Sequence, residues 1–383
     1  MLLLKRLTAI LCLVSLLLSA FCLAAVAEAE PSVSAHSAAL IDAQTGDLLF
    51  EKNAHARLPM ASTTKIMTAL VALDLADPQT VISVPPEAVG VEGSSIYLCE
   101  GEQLTLEQLL YAVMLESAND ASVAVAIGLC GSVERFAEEM NKKAAVIGLR
   151  DSCFQNPHGL AAEAHYTTAY ELAIIAKHAL ENELIAQMAS TKKTTIPHGD
   201  TDGVRLLVNH NRMLRYYDGA IGMKTGYTKK SGRCLVSAAE RDGVRLIAVT
   251  LNAPNDWSDH TSLLDYGFPL RKSVRLCREH EICITLPVVG GVNGAVTVSN
   301  PQALSVSLPT ACGEIQQVVE LPRFLYASVA EGEVLGRAIF FCDTNGDGTV
   351  ERVGEAPLTA QSEVKRQKSK RSFWQWLRSL LGF

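Results

Sequence analysis

Leu58-Pro59-Met60-Ala61-Ser62-Thr63-Thr64-Lys65-Ile66-Met67-Thr68 is the stretch on which the reading of this chain turns. Pro59 precedes a helical pattern from about Ser62 to Leu75, and a separation of three puts Ser62 and Lys65 on one helix face, a turn apart. The amine therefore stands beside the hydroxyl. A serine hydroxyl is a poor nucleophile until a base removes its proton, and a lysine serves as that base only where burial or a neighbouring cation lowers its pKa. A serine at a helix start also meets backbone N–H groups and the positive end of the dipole, which suit a developing oxyanion.

A lone Ser-x-x-Lys carries little weight, because most such matches are an N-cap followed by a solvated lysine. Two further strings, Ser117-Ala118-Asn119 and Lys224-Thr225-Gly226, follow in that order, and the ordered trio is specific. Ser117 stands where a helix runs out. That helix begins at Thr105 with Gln108 completing a capping box, and Leu106, Leu109, Leu110, Val113 and Met114 form its apolar stripe. From this position the Ser117 hydroxyl can carry a proton between Lys65 and a leaving amine. Asn119 offers a donor and an acceptor to a substrate amide or to Lys65. Lys224 is the cation that can depress Lys65; with Thr225 it can hold a substrate carboxylate, and Gly226 lets substrate backbone approach closely.

Working outward, Ala38–Asp42 and Leu48–Glu51 flank Gln44-Thr45-Gly46 as a β-hairpin. Helical patterns at about Ala121–Leu129, Val133–Ala145 and Thr168–Leu180 make the middle mainly α, and Cys234–Ala239 and Val244–Leu251 form a second hairpin around Glu240–Gly243. A helical middle framed by two hairpins predicts one antiparallel sheet built from both ends and covered by helices, an α/β (α+β) catalytic domain over 30–270. From 271 to 360 short Val/Ile/Leu runs punctuated by Gly, Pro and Asn predict a small all-β C-terminal domain. Gln361–Lys370 reads as a polar linker.

The 383 residues are 48% hydrophobic and 20% charged, enough for a substantial core and a soft prior for two domains. A net charge of −7, with no basic, aromatic-interleaved stripe, argues against nucleic-acid binding. Lys5 and Arg6, an apolar run from Ile10 to Leu23 and the small residues Ala25-Val26-Ala27 match a secretory signal over 1–27. The run is shorter than the ~20 residues a membrane span needs, so the chain is expected to be exported. Eight cysteines follow that segment, at irregular spacings that permit disulfides but lack a zinc pattern. No metal and no cofactor are expected. Asp343-Thr344-Asn345-Gly346-Asp347-Gly348 opens like a calcium loop, but Gly354 occupies the place of the closing glutamate, so a hairpin turn is the reading. His158 and His165 lack metal-ligand spacing and read as structural loop residues.

At the far end Lys365, Arg366, Lys368, Lys370 and Arg371 lead into 373–383, where Phe373, Trp376, Leu377, Leu380, Leu381 and Phe383 share a helix face opposite Gln375, Arg378 and Ser379. Too short to span a bilayer, this segment fits an amphipathic helix on an anionic membrane surface. The alternative is a terminal helix docked on its own domain.

With these strings in view, the chain resembles the low-molecular-weight penicillin-binding proteins of the serine D-alanyl-D-alanine carboxypeptidase type. The resemblance covers nearly the whole length. It is carried by 58–68, by Ser117-Ala118-Asn119-Asp120, by Lys224-Thr225-Gly226-Tyr227-Thr228, and by Asn156-Pro157-His158-Gly159-Leu160 and His165–Thr168. It implies a penicillin-binding/β-lactamase-like fold and removal of the terminal D-Ala from peptidoglycan stem peptides ending in D-Ala-D-Ala, with β-lactams as covalent inhibitors. It further implies acylation of Ser62, Lys65 as base, Ser117 and Asn119 as the second motif, and Lys224 and Thr225 on the sheet edge. The N–H groups of Ser62 and Tyr227 would form the oxyanion hole, and Arg212 would hold the terminal carboxylate. Tyr227 departs from members with His there, which touches substrate preference more than chemistry, since only its N–H is needed. Rival readings are a class A β-lactamase, whose Glu-x-x-Leu-Asn motif we do not find, a DD-endopeptidase, and an idle peptidoglycan-binding protein, which intact motifs disfavour.

Overall fold

The computed structural model describes residues 30–199 and 203–368 and, beyond these, Leu377, Arg378 and Leu380. The signal-like segment and most of the terminal amphipathic segment, Phe373 and Trp376 included, lie outside the described residues.

In chain order, β1 (Ser37–Asp42) and β2 (Leu48–Lys52) form the first hairpin, α1 (Lys65–Leu75) continues a 3-10 turn over Ala61–Thr64, and β3 (Val81–Ser83) pairs with β4 (Gln103–Thr105). Helices α2 (Leu106–Leu115), α3 (Asn119–Cys130), α4 (Val133–Val146), α5 (Ala169–Leu180) and α6 (Glu183–Ser190) fill the middle. The hairpin β5 (Lys193–Pro197) and β6 (Val204–Val208), the short α7 (Met213–Tyr216), strands β7 (Ala220–Thr228), β8 (Gly232–Arg241) and β9 (Val244–Leu251), and α8 (Asp256–Gly267) complete this part. The capping box that starts α2 is formed: Thr105 N–H donates to Gln108 Oε1 at 2.9 Å and Gln108 N–H to Thr105 Oγ1 at 3.2 Å.

Five antiparallel strands lie in the order β2-β1-β9-β8-β7, so the two ends of this region close one sheet, as expected. Successive side chains point to opposite faces. Ala39 and Ile41, with Val236, Ala238, Ile247 and Val249, enter the large core shared with α1, α2, α3 and α5. Ala38 and Leu40, with Ala239, Leu246 and Ala248, pack on Leu263 and Leu264 of α8 on the other side. Burial on both faces explains why β1 and β9 read as continuous apolar runs. Strand β7 is left on an edge.

From 271 to 360 the chain is strand and turn. β10 (Arg271–Cys277), β11 (Cys283–Val289), β12 (Ala295–Ser299), β13 (Leu304–Pro309), β14 (Gln316–Glu320), β15 (Leu325–Tyr326), β16 (Val334–Cys342) and β17 (Glu351–Ala360) follow one another. β10 and β13 form a ribbon, and the others form a sheet ordered β14-β16-β17-β12-β11-β15. The calcium-like string is the β16–β17 turn, as read: the Asp343 carboxylate accepts the N–H groups of Asn345, Gly346 and Gly348. The stretch read as a polar linker needs correction over its first part. Val364 is fully buried, its N–H donates to Val329 O at 2.9 Å, and Gln367 N–H donates to Gly290 O at 2.7 Å. One inward valine among polar neighbours is too short a pattern to register as a strand in sequence.

Arg271 ties the β-rich part to the first hairpin. Its side chain is almost wholly buried and its Nε donates to Asp42 Oδ2 at 2.8 Å, while Nη1 lies 3.0 Å from Asp47 and Nη2 donates to Ser307 O at 3.0 Å. Asp42 is completely buried, so removing its cation leaves an uncompensated charge. We predict that Arg271→Met lowers unfolding free energy by about 3–5 kcal/mol, read from urea denaturation; a change within ordinary surface-mutation scatter would refute this.

Candidate active site

Ala61 adopts a left-handed conformation, φ 48°, and turns the chain into the 3-10 turn that runs directly into α1. Ser62 thus stands at the helix start with Lys65 one turn on. Lys65 is fully buried yet contacts three polar atoms: Asn119 Oδ1 at 2.6 Å, the His158 carbonyl at 2.7 Å and Ser62 Oγ at 3.1 Å. Burial first, and then the charge of Lys224, hold its pKa well below the ordinary lysine value, against an opposing pull from Asp120. A neutral amine has two hydrogens and one lone pair. Asn119 and His158 accept the two hydrogens, which leaves the lone pair for the Ser62 proton.

Ser117 links α2 to α3 in a left-handed conformation, φ 62°, and its buried Oγ has no hydrogen-bond partner among the described residues. A strained backbone and an unpartnered hydroxyl at one residue are costly and are characteristic of working sites. Asn119 Nδ2 donates to Glu92 O at 2.6 Å and its backbone N–H to Ser94 O at 2.7 Å. Asp120 accepts the N–H groups of Ile96 and Leu98, each at 3.1 Å, and the Ser95 hydroxyl at 2.6 Å. The second motif therefore pins the 92–98 loop over the cleft.

Strand β7 crosses the start of α1. A Cβ built on Gly226 would stand 3.0 Å from Ser62 N and 3.1 Å from Ala61 Cβ, so glycine permits this approach. Lys224 is buried and its Nζ donates to Thr225 O at 3.0 Å. Burial lowers its pKa to about 7, while Glu116 pulls it upward. Tyr227 is exposed, so its ring meets solvent or substrate.

A cleft of about 340 Å³ collects Ser62, Ser117, Thr225, Gly226, Tyr227 and Arg212 from the sequence-derived set. Lys65, Asn119 and Lys224 stand buried behind its floor. The same cleft is lined by Ser94, His210, Arg233, Asp256 and Trp257, which sequence reasoning missed. Arg233 lies directly across the β7–β8 ladder from Tyr227, and its Nη2 is 3.0 Å from Asp256 Oδ1. Its guanidinium also lies over Trp257, 6.0 Å from the ring centroid. Counting back across the 228–232 turn would have placed Arg233 opposite Tyr227; nothing local marks Asp256 or Trp257.

The two histidines read as structural have structural partners. His165 Nδ1 accepts the Gln155 N–H at 3.0 Å, which fixes its proton on Nε2, 2.8 Å from Thr64 Oγ1. Burial lowers His165 to about 4 and His158 to about 3, so both are neutral here. The contribution of His158 to the site is its carbonyl on Lys65.

Against known proteins, the profile of the family described as D-alanyl-D-alanine carboxypeptidase matches residues 24–255. The chain is 33% identical over 347 residues to D-alanyl-D-alanine carboxypeptidase DacF of Bacillus subtilis, covering 88% of this chain and 87% of that one. It is 32% identical over 356 residues to DacC of Escherichia coli, covering 88% and 85%. The crystal structure of penicillin binding protein 5 from Haemophilus influenzae superposes with a TM-score of 0.65 at 26% identity, over 88% of this chain and 99% of that one.

Proposed function

This chain belongs to the D-alanyl-D-alanine carboxypeptidase family of serine peptidases, and from that premise we propose how its own residues divide the work. The reaction is removal of the terminal D-Ala from peptidoglycan pentapeptides through an acyl-enzyme, with β-lactams as covalent inhibitors. Lys65 takes the Ser62 proton as Oγ attacks the penultimate D-Ala carbonyl. The N–H groups of Ser62 and Tyr227 receive the oxyanion. Ser117 passes the proton to the leaving amine, Asn119 orients Lys65 and the substrate amide, and water then releases the acyl group from Ser62. The observation that carries this reading is the buried Lys65 amine, with both hydrogens engaged and Nζ 3.1 Å from Ser62 Oγ. Peptide mass mapping after penicillin treatment tests it: the adduct belongs on Ser62, and an adduct on any other residue overturns the assignment. A defined pentapeptide muropeptide beside a cross-linked dimer separates carboxypeptidase from endopeptidase action.

Lys224, Thr225 and Gly226 hold the substrate's terminal carboxylate edge, with Arg212 and Arg233 as the cations at the open side of the cleft. A charge-assisted hydrogen bond contributes about 1.5–3 kcal/mol, so losing one costs about ten- to hundredfold. We predict that Arg233→Ala lowers kcat/KM by that factor on the free-acid pentapeptide and much less on its C-terminal amide, with Arg212→Ala behaving in the same sense. Equal losses on acid and amide would refute carboxylate binding.

We further propose export and attachment to the outer face of the cytoplasmic membrane through the 373–383 segment. Its support is the sequence pattern: each fully buried large apolar side chain contributes roughly 1.5–3 kcal/mol, and each nearby Lys or Arg about 1 kcal/mol on an anionic surface. Because 364–367 dock on the β-rich part, the truncation that isolates the anchor removes 369–383. It should abolish flotation with anionic liposomes at unchanged activity on soluble peptides, and high salt should weaken flotation of the full chain only partly. Equal flotation of both forms would favour a helix docked on its own domain.

A further inference from the structure

The antiparallel ladder between β14 and β16 sets Gln316 opposite Phe341. Beyond the end of this ladder the chain stays close to β16, and the Asp343 carbonyl accepts the Gly313 N–H at 2.9 Å. Cysteine precedes each of these residues. Cys342 ends β16 fully buried, with its thiol donating to Gly313 O at 3.3 Å. Cys312 is half-buried in the turn after β13 and packs in the same small cluster as Cys342, with Val306 and Leu308. Both are thiols in the structure. Burial and then a hydrogen bond to the Cys312 thiol raise the Cys342 thiol above its ordinary range.

We propose that Cys312 and Cys342 are a disulfide site, closed by a small-molecule or protein disulfide oxidant, which staples the β10–β13 ribbon to the six-stranded sheet. The half-buried Cys312, as thiolate, attacks the oxidant disulfide, forming a mixed disulfide and expelling one thiolate. Cys342 loses its proton to water and its sulfur attacks Cys312 Sγ, expelling the second thiolate. Two protein S–H bonds are exchanged for one S–S bond, and the oxidant is reduced to two thiols. The link closes the chain from the end of β13 to the end of β16, restricting the unfolded state most where the loop is long. It also rigidifies the ribbon that carries Arg271 and Ser307, the contacts to buried Asp42.

The test uses the purified full chain, reduced and then exposed to glutathione disulfide, acid-quenched, alkylated in denaturant and digested. The expected result is a Cys312–Cys342 cross-linked peptide, absent from Cys312→Ser. The thermal midpoint of the oxidised wild type should exceed that of the reduced form by on the order of 5–10 °C, a shift Cys312→Ser does not show. Penicillin labelling of reduced wild type and Cys312→Ser confirms that both are folded, and it reads the acyl-transfer assignment separately. Both cysteines carrying the alkylating label after oxidation, or Cys312 held only as its glutathione adduct, would overturn the proposal.

Discussion

Ser62→Ala loses both D-Ala release and covalent penicillin labelling, with turnover falling on the order of 10⁴–10⁶-fold. The reason is specific: among the described residues Ser62 Oγ is the one hydroxyl in contact with the Lys65 amine, 3.1 Å away at a helix start. Among the described residues neither of the other cleft serines, Ser94 and Ser117, is in hydrogen-bond contact with the Lys65 amine, so neither substitutes as the nucleophile. Intact-mass spectrometry after penicillin treatment reads the loss directly. A labelled Ser62→Ala protein would sink the assignment, whatever its residual turnover.

Removing the proposed base comes next in size. Lys65→Ala should reduce acylation by on the order of 10²–10⁴-fold while the chain stays folded, since the cavity left behind is polar and can be hydrated. Lys65→Arg should fail as well, because a guanidinium stays protonated and cannot accept the Ser62 proton. The pH profile gives an independent reading. Lys65 must be deprotonated to act, so the acid limb rises through its lowered pKa. Lys224 must be protonated to hold a carboxylate, so kcat/KM declines as pH climbs through about 7, where burial places it in the free enzyme. A bound substrate carboxylate raises Lys224, so the alkaline limb of kcat should sit higher than that of kcat/KM. Near-normal acylation by Lys65→Ala at neutral pH would show that another group is the base.

Much of what depends on neighbours within a turn or a hairpin was legible in the sequence. The three-residue spacing of Ser62 and Lys65, the capping box at Thr105 and Gln108, and the Asp343 turn are short-range physics, and all stand as read. The apolar runs of β1 and β9 announced strands because a sheet buried on both faces leaves no polar position. Helix α6 and the β5–β6 hairpin went unread, being short elements of eight residues and of five residues a strand. The chemistry of the site was decided at longer range. The Lys65 amine is buried with its pKa lowered because the His158 carbonyl and Asn119, 93 and 54 residues away, close over it. Arg233 reaches the cleft because β8 folds back along β7, and Asp256 and Trp257 because α8 begins beside it. A sequence specifies which groups are present and which lie a turn apart. Desolvation and charge proximity, which decide whether a lysine is a base or a cation, belong to atoms that only the folded chain brings within a few ångströms.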